Sequence, residues 1–160
     1  MKVRSMEWIF IAFLAASILH MTEEYFYPGG FMDLMGRLNP RFAPLLTVPV
    51  AVIINGLQLL LCVAVIGVGK SQFVFSMSLA ALLFINGLVH IAACLRVKGY
   101  APGVVTGILL YIPLSTYACF VAISSHQLSL RGAVAASVLG LAYQSVPITY
   151  FGLVIMVRRA

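Results

Sequence analysis

A histidine and two acidic residues lie close together near the end of the first apolar stretch, in the segment His20-Met21-Thr22-Glu23-Glu24. On a helix, His20 is within reach of both Glu23 at i+3 and Glu24 at i+4. Imidazole and carboxylate are common ligands of Zn²⁺, Fe²⁺ and Mn²⁺, and Glu-x-x-His pairs hold metals in di-iron helical bundles. The spacing therefore predicts that these side chains bind a divalent metal ion, and that a remaining carboxylate, Glu23 or Glu24, acts as a general base.

A second histidine occurs at a similar depth in a later apolar stretch. His90 lies one helical turn after Asn86, on the same helix face, and six residues before Arg96. At 1.5 Å per residue, His90 is about 9 Å and His20 about 10 Å inside its apolar span. We therefore predict that His90 completes the metal site. Four polar residues are predicted to contact these ligands or a substrate: Asn55, Gln58, Asn86 and Arg96.

The segment Tyr100-Ala101-Pro102-Gly103 adds a third polar feature. Proline is favoured in the first turn of a helix, so Pro102 is expected to start the fourth long helix. Gly103 permits close backbone approach, and the hydroxyl of an interfacial Tyr100 can reach inward as a catalytic group. Free N–H groups at the helix start can bind an anionic substrate group or a carboxylate. A plain helix start with a tyrosine anchor explains the segment equally well when it is taken alone.

Less specialised roles remain open for the same residues. The two acids of the first stretch can extend to the interface and pair with Arg37, Arg41 or Arg96. His90 can be a histidine that is simply hydrogen-bonded inside a bundle. The placement of histidines and acids at one depth favours the functional interpretation, because ionisable residues inside membranes are mostly functional. His126 falls in a loop at the other side and joins no cluster.

The composition identifies the medium in which these residues act. Of the 160 residues, 62% are hydrophobic and 9% are charged, against about 45–50% and about 25% in soluble domains. This excludes a soluble globular protein. The net charge is +6, but the basic residues are scattered near the ends of apolar stretches, so no nucleic-acid partner is expected. We expect a single domain over residues 1–160, with membrane lipid around it and an amphiphilic small molecule as its substrate.

Five apolar stretches are long enough to cross a hydrocarbon layer about 30 Å thick. Because a helix satisfies its own backbone hydrogen bonds in lipid, we predict an all-α integral membrane bundle. The predicted crossings are residues 6–25, 44–68, 72–97, 101–125 and 130–157. Between the first two, apolar residues at helical spacing predict a short interfacial helix. Its apolar face would hold Phe31, Leu34, Met35 and Leu38. Pro113 and Pro147 are expected to bend the last two crossings.

Short connections between crossings predict that consecutive helices run antiparallel. The ends of the first and third crossings, the start of the fourth and the C-terminus then share one side, which we call the motif side. It carries six basic residues against four on the other side, so the positive-inside rule favours a cytoplasmic motif side. The six are Arg37, Arg41, Arg96, Lys98, Arg158 and Arg159, and the four are Lys2, Arg4, Lys70 and Arg131. We expect a multi-pass protein of a bacterial-type inner or plasma membrane.

The residues described above resemble the HXXEE-domain family of small integral membrane proteins. The family motif is similar to His20, Glu23 and Glu24, and a further histidine in an Asn-containing apolar helix is similar to His90 with Asn86. The family's Tyr-x-Pro-Gly motif is similar to residues 100–103. The resemblance covers about residues 8–125 and leaves the fifth helix, about 130–157, outside it. It implies the class of protein and only a suspected metal site, and it leaves the reaction open.

Three classes of function follow from these residues. The leading hypothesis is a membrane metalloenzyme, hydrolytic or oxidative, that uses Zn, Fe or Mn to act on a lipid or other amphiphile. The second is a metal-free lipid or isoprenoid isomerase in which Glu23 and Glu24 share a proton. The third is a small transporter or ion-binding protein, for which a homo-oligomer would supply the missing half of a pathway.

Overall fold

The computed structural model describes residues 6–27, 29–41 and 43–157. Within these residues the chain forms six helices and no strand. They are α1 (Glu7–Phe26), α2 (Gly30–Leu38), α3 (Val48–Val68), α4 (Phe73–Val97), α5 (Val104–Ser124) and α6 (Leu130–Val157). All except α2 are long and apolar enough to cross a membrane. The predicted all-α chain, with five long apolar helices and a short helix between the first two, is confirmed.

Some residues used in the sequence argument lie outside the described part of the chain. They are Lys2, Arg4, Arg158 and Arg159, whose charges entered the prediction of orientation. The comparison of the two sides in the structure therefore uses the other six basic residues. They are Arg37, Arg41, Arg96, Lys98, Lys70 and Arg131.

The hydrophobic core fills the half of the bundle that lies away from the motif side. It joins the first half of α1, including Phe10 and Phe13, to Val65 near the end of α3 and to Leu79 and Leu83 in the first half of α4. These five side chains are almost fully buried. The polar residues of interest lie in the other half of the bundle, where the packing is less complete.

Helix α4 is the central element, since it contacts α2, α3, α5 and α6. It meets α5 at a pair of glycines. A Cβ added to Gly87 would lie 3.0 Å from the Ile112 side chain and 3.1 Å from the carbonyl oxygen of Gly107. Small residues let helix backbones approach closely in membrane bundles. This contact holds the first turns of α5 beside the second half of α4.

The start of α5 corrects one expectation. We predicted that Pro102 would start this helix, but its first helical residue is Val104. Val104 N–H donates to the carbonyl oxygen of Ala101 at 3.1 Å, which closes a turn, and Gly103 takes a left-handed φ of +92°. Because glycine adopts this conformation without a steric penalty, the turn ends at Gly103 and the helix begins after it.

Helix α2 packs against α1 and α4 at the motif side. Its Leu34 is buried against Ala93 of α4 and against Ala101. On the opposite face, Arg37 pairs with Asp33 at 2.9 Å. The amphipathic pattern predicted from the sequence is present, and its apolar face packs on the bundle.

Both prolines named above lie within long helices. Pro147 is inside α6. Pro113 follows a π-helical segment of α5, Gly107–Tyr111, and the α-helical repeat resumes at Ile112. Proline has no N–H to donate, and single π turns in α-helices frequently occur at functional sites.

Candidate metal centre

Three buried side chains from two helices converge in the motif-side half of the bundle. His20 and Glu24 come from successive turns of α1, and His90 comes from α4; their exposed fractions are 2%, 5% and 3%. Glu24 Oε1 lies 3.2 Å from His90 Nε2 and 3.6 Å from His20 Nε2. One ligand atom from each residue can be chosen so that all three lie within 4.8 Å of one another. This group, His20, Glu24 and His90, is called the metal cluster below.

The other ring nitrogen of His20 has a fixed partner. Thr106 Oγ1 lies 2.8 Å from His20 Nδ1 and donates to Glu23 Oε2 at 2.5 Å. Because the hydroxyl has one proton and the carboxylate only accepts, His20 Nδ1–H must be the donor to Thr106. In neutral His20 the Nε2 lone pair then faces Glu24 Oε1. Two acceptors that face each other need a proton or a cation between them, and this tautomer suits metal ligation.

Glu23 has a different role from its neighbour, Glu24. Its Oε1 accepts from the backbone N–H of Val105 at 3.0 Å, and its Oε2 accepts from the backbone N–H of Thr106 at 2.8 Å. It also accepts from the hydroxyls of Tyr100 and Thr106, each at 2.5 Å. A carboxylate from α1 therefore satisfies the free N–H groups at the start of α5, as an N-cap side chain would. Glu23 therefore lies outside the metal cluster and is linked to His20 through the Thr106 hydroxyl.

Tyr100 and Gly103 connect the loop before α5 to the same site. Tyr100 donates to Glu23 and stacks near Tyr27, with ring centroids 4.2 Å apart. Desolvation and the bond to the Glu23 carboxylate raise the pKa of Tyr100, because both favour the neutral phenol. A Cβ added to Gly103 would lie 2.5 Å from His90 Cε1 and 2.8 Å from His20 Cε1. The backbone of Gly103 therefore packs directly on both imidazole rings.

A buried tyrosine, Tyr111, packs against the His20 ring. The Tyr111 ring stacks on the His20 ring, with centroids 4.4 Å apart and planes 29° apart. The Tyr111 hydroxyl accepts from Gln58 Nε2 at 2.8 Å, and Gln58 also lies 3.3 Å from Ser17 Oγ. Gln58, predicted as an outer contact, thus reaches the cluster through Tyr111.

The metal cluster opens onto a cavity of about 540 Å³ that is lined by residues of α1, α2, α3, α4 and α6. This volume is within the range of about 300–1,000 Å³ that is usual for small-molecule sites. Most of its lining is apolar, and the apolar face of α2 contributes to it. The predicted contact residues Asn55, Gln58 and Asn86 all line it, and Asn55 donates a hydrogen bond to Tyr25. Arg96 is exposed at the end of α4 and is not among the described residues that line the cavity.

The cluster satisfies two chemical requirements of a divalent metal site. Its donor set is two imidazoles and one carboxylate, which suits Zn²⁺, Fe²⁺ or Mn²⁺. In addition, His20 Nε2 is buried without a hydrogen-bond partner among the described residues. Buried polar atoms are rarely left unpaired in proteins, so a lone pair in this position is consistent with a ligand atom. His90 Nδ1 lies beside Gly103, and it too is buried without a hydrogen-bond partner among the described residues.

Two residues of the site were missed in the sequence. Thr106 has a visible signal, since it follows Gly103 by three residues and so stands in the first turn of a helix that starts on the motif side. Tyr111 has none. Residues 106 and 111 would be about 140° apart on an α-helix at 100° per residue. The π-helical segment brings residues five apart onto one face, where both contact His20.

The fold and site define a class of protein: an all-helical chain with five helices able to span a membrane and a buried cluster of two histidines and a glutamate. Residues 11–118 match the family described as "Protein of unknown function with HXXEE motif". The chain therefore belongs to this HXXEE family, and His20, Glu23 and Glu24 supply the residues of its motif. No curated protein and no solved structure matches the chain significantly.

Proposed function

We propose that the protein is an integral membrane metalloenzyme that holds one divalent metal ion between His20, Glu24 and His90 and acts on an amphiphile in the adjoining cavity. The observation that carries this proposal is the convergence of three buried ligand-type side chains on the wall of a largely apolar cavity. Catalytic zinc sites commonly have three protein ligands and one open position. Zinc, iron and manganese all suit these ligands.

The metal would supply Lewis acidity and an activated water for attack on a substrate bond, or redox chemistry if it is iron. The chain's own residues prepare the site for it. Thr106 holds His20 in the tautomer whose Nε2 faces the cluster, and Tyr111 fixes the plane of the ring. Apolar side chains of α2, Phe31 and Leu34 among them, line the same cavity as the cluster, whose three side chains are almost fully buried.

The two adjacent carboxylates have separate duties in this proposal. Glu24 lines the cavity and contacts both histidines, so it is both a ligand and the carboxylate placed to exchange a proton with a bound amphiphile. The oxygens of Glu23 are occupied by donors from Tyr100, Val105 and Thr106. Glu23 is therefore proposed as a positioning residue for the metal cluster. A proton shared between the two carboxylates, as the isomerase hypothesis requires, has no support in this geometry.

For the orientation, we propose that the motif side faces the cytoplasm. Among the basic residues within the described part of the chain, Arg37, Arg41, Arg96 and Lys98 are on this side, and Lys70 and Arg131 are on the other. The excess is small but has the sign that the positive-inside rule associates with the cytoplasm.

Element-resolved metal analysis of the purified protein tests the metal centre. We expect about one equivalent of zinc, iron or manganese in the parent, and loss of that metal in His20→Ala and His90→Ala. His126→Ala is the matched control, because His126 is exposed in the loop before α6 and lies outside the cluster. Equal metal content in the parent and both cluster variants would refute the assignment. Absence of metal from the folded parent after reconstitution would also refute it.

A further inference from the structure

The cavity contains a hydrogen-bond acceptor that the protein leaves unused. Asn86 Oδ1 is buried without a partner among the described residues, whereas Asn86 Nδ2 lies 3.5 Å from Gln144 Oε1. Both side chains line the cavity. An unpaired buried acceptor is costly, and a ligand that donates to it recovers that cost. Asn86 therefore selects for an O–H or N–H group.

The dimensions of the cavity favour a single chain. Its lining extends from Ala51 to Leu61 on α3 and from Leu82 to Ala93 on α4. At 1.5 Å per residue these spans are about 15–17 Å, close to half of the roughly 30 Å hydrocarbon layer. This is the depth of one leaflet, so an alkyl or isoprenoid chain of ordinary length fits along the cavity. Leu57, Leu61 and Leu82 surround its deep end.

The charges around the cavity favour a neutral ligand. No lysine or arginine is among the described residues that line it, and Glu24 is the sole acidic residue among them. A buried phosphate or sulfate requires a positive partner. With a divalent ion bound, Glu24 would neutralise one of its two charges, and the remaining positive charge would lie at the metal cluster, about 6 Å along α4 from Asn86. Beside Asn86, where no described lysine or arginine lines the cavity, anionic headgroups are therefore disfavoured relative to alcohols and amides.

We infer that the cavity takes a neutral, single-chain amphiphile whose hydroxyl or amide N–H donates a hydrogen bond to Asn86 Oδ1. This inference rests on the proposed function, because it names the substrate class of the same site. Asn86 is one turn deeper than His90, about 6 Å along α4. The ligand therefore has its donor group about that distance, along the helix axis, from the metal cluster.

Competition binding on the full chain in lipid nanodiscs tests the inference, with empty nanodiscs as the blank. The probes are dodecanol, dodecyl methyl ether and dodecyl phosphate, each used to displace radiolabelled dodecanol. We expect dodecanol to displace the label at about tenfold lower concentration than the ether, because only the alcohol pairs the buried acceptor. Equal potency of alcohol and ether, stronger displacement by the phosphate, or no displaceable binding would each overturn the inference.

Two variants assign the preference to a residue. Asn86→Leu should reduce the difference between alcohol and ether to less than about twofold, since the acceptor is removed. Asn39→Leu is the matched control, because Asn39 lies after α2 and is outside the cavity lining. Retention of the full preference in Asn86→Leu would contradict the inference. The comparison of probes in the parent does not depend on whether either variant folds.

Metal analysis of the same samples separates this inference from the proposed function. Bound metal without a preference for the alcohol overturns the inference and leaves the metal centre standing. A preference for the alcohol in metal-free protein supports the inferred ligand class and contradicts the metal centre.

Discussion

Substitution of Gly103 by alanine perturbs the metal cluster without removing any ligand. The added methyl would lie 2.5 Å from His90 Cε1, 2.7 Å from His90 Nδ1 and 2.8 Å from His20 Cε1. Non-bonded carbon atoms sit about 3.5–4.0 Å apart, so the rings or the loop must move by about 1 Å. His20 cannot yield easily, because Tyr111 stacks on it and Thr106 holds its Nδ1. Metal-site distances are typically held within about 0.2 Å, so this displacement is disruptive.

We therefore expect Gly103→Ala to weaken metal binding at least tenfold, measured by competition with a chelator of known affinity. Alanine at a positive φ also costs about 1–3 kcal/mol in the free energy of unfolding. Gly69→Ala controls for this second effect, because Gly69 also has a positive φ, +48°, but a Cβ there would meet nothing within 4 Å. Both variants should unfold more easily, and only Gly103→Ala should lose metal affinity. Parent-like metal affinity in Gly103→Ala would refute the packing argument.

Three further predictions concern the partners of the cluster. Thr106→Val should lower metal affinity about 10- to 100-fold, as measured by chelator competition, because the His20 imidazole loses its fixed hydrogen bond. Thr116→Val is the control and should leave the affinity unchanged, because the Thr116 hydroxyl bonds only to the backbone of its own helix among the described residues. Glu23→Gln should reduce the free energy of unfolding, measured by calorimetry, by about 0.5–2 kcal/mol and should retain the metal. Glu24→Gln should lose the metal, as measured by metal analysis. The reverse pattern in the two variants would exchange the roles of the two carboxylates. Ultraviolet titration should place the Tyr100 pKa above its usual 10.0, because burial and the neighbouring carboxylate favour the neutral phenol, with a fall toward 10.0 in Glu23→Gln.

Much of the architecture was predictable from local patterns in the sequence. The five long helices follow from apolar stretches of membrane-spanning length, and the apolar face of α2 follows from helical spacing. The predicted first residues of two helices were less accurate, because a turn precedes each of these helices. The second crossing was expected from residue 44, whereas α3 begins at Val48. The fourth was expected at Pro102 but begins at Val104, because the conformation of Gly103 depends on a turn that packs against two histidines.

The sequence was sufficient to predict which side chains of the candidate site lie near one another. His20 and His90 were placed at one depth by counting residues from the ends of their helices, and the structure brings them together with ring centroids 4.7 Å apart. Asn86 was placed beside His90 by its i, i+4 spacing, Asn55 and Gln58 were expected only as contacts to the ligands or to a substrate, and all three line the cavity. Depth is readable because each residue advances a helix by a fixed 1.5 Å.

The sequence by itself determined the five apolar helices of membrane-spanning length and the level at which histidines and acids meet, because composition and helical rise are properties of the chain alone. Only the tertiary structure decided which of two adjacent carboxylates joins the histidines. Neighbouring residues on a helix point about 100° apart, and the rotation of α1 about its axis is set by packing against α3 and α5. That rotation turns Glu24 into the cavity and Glu23 toward the first N–H groups of α5.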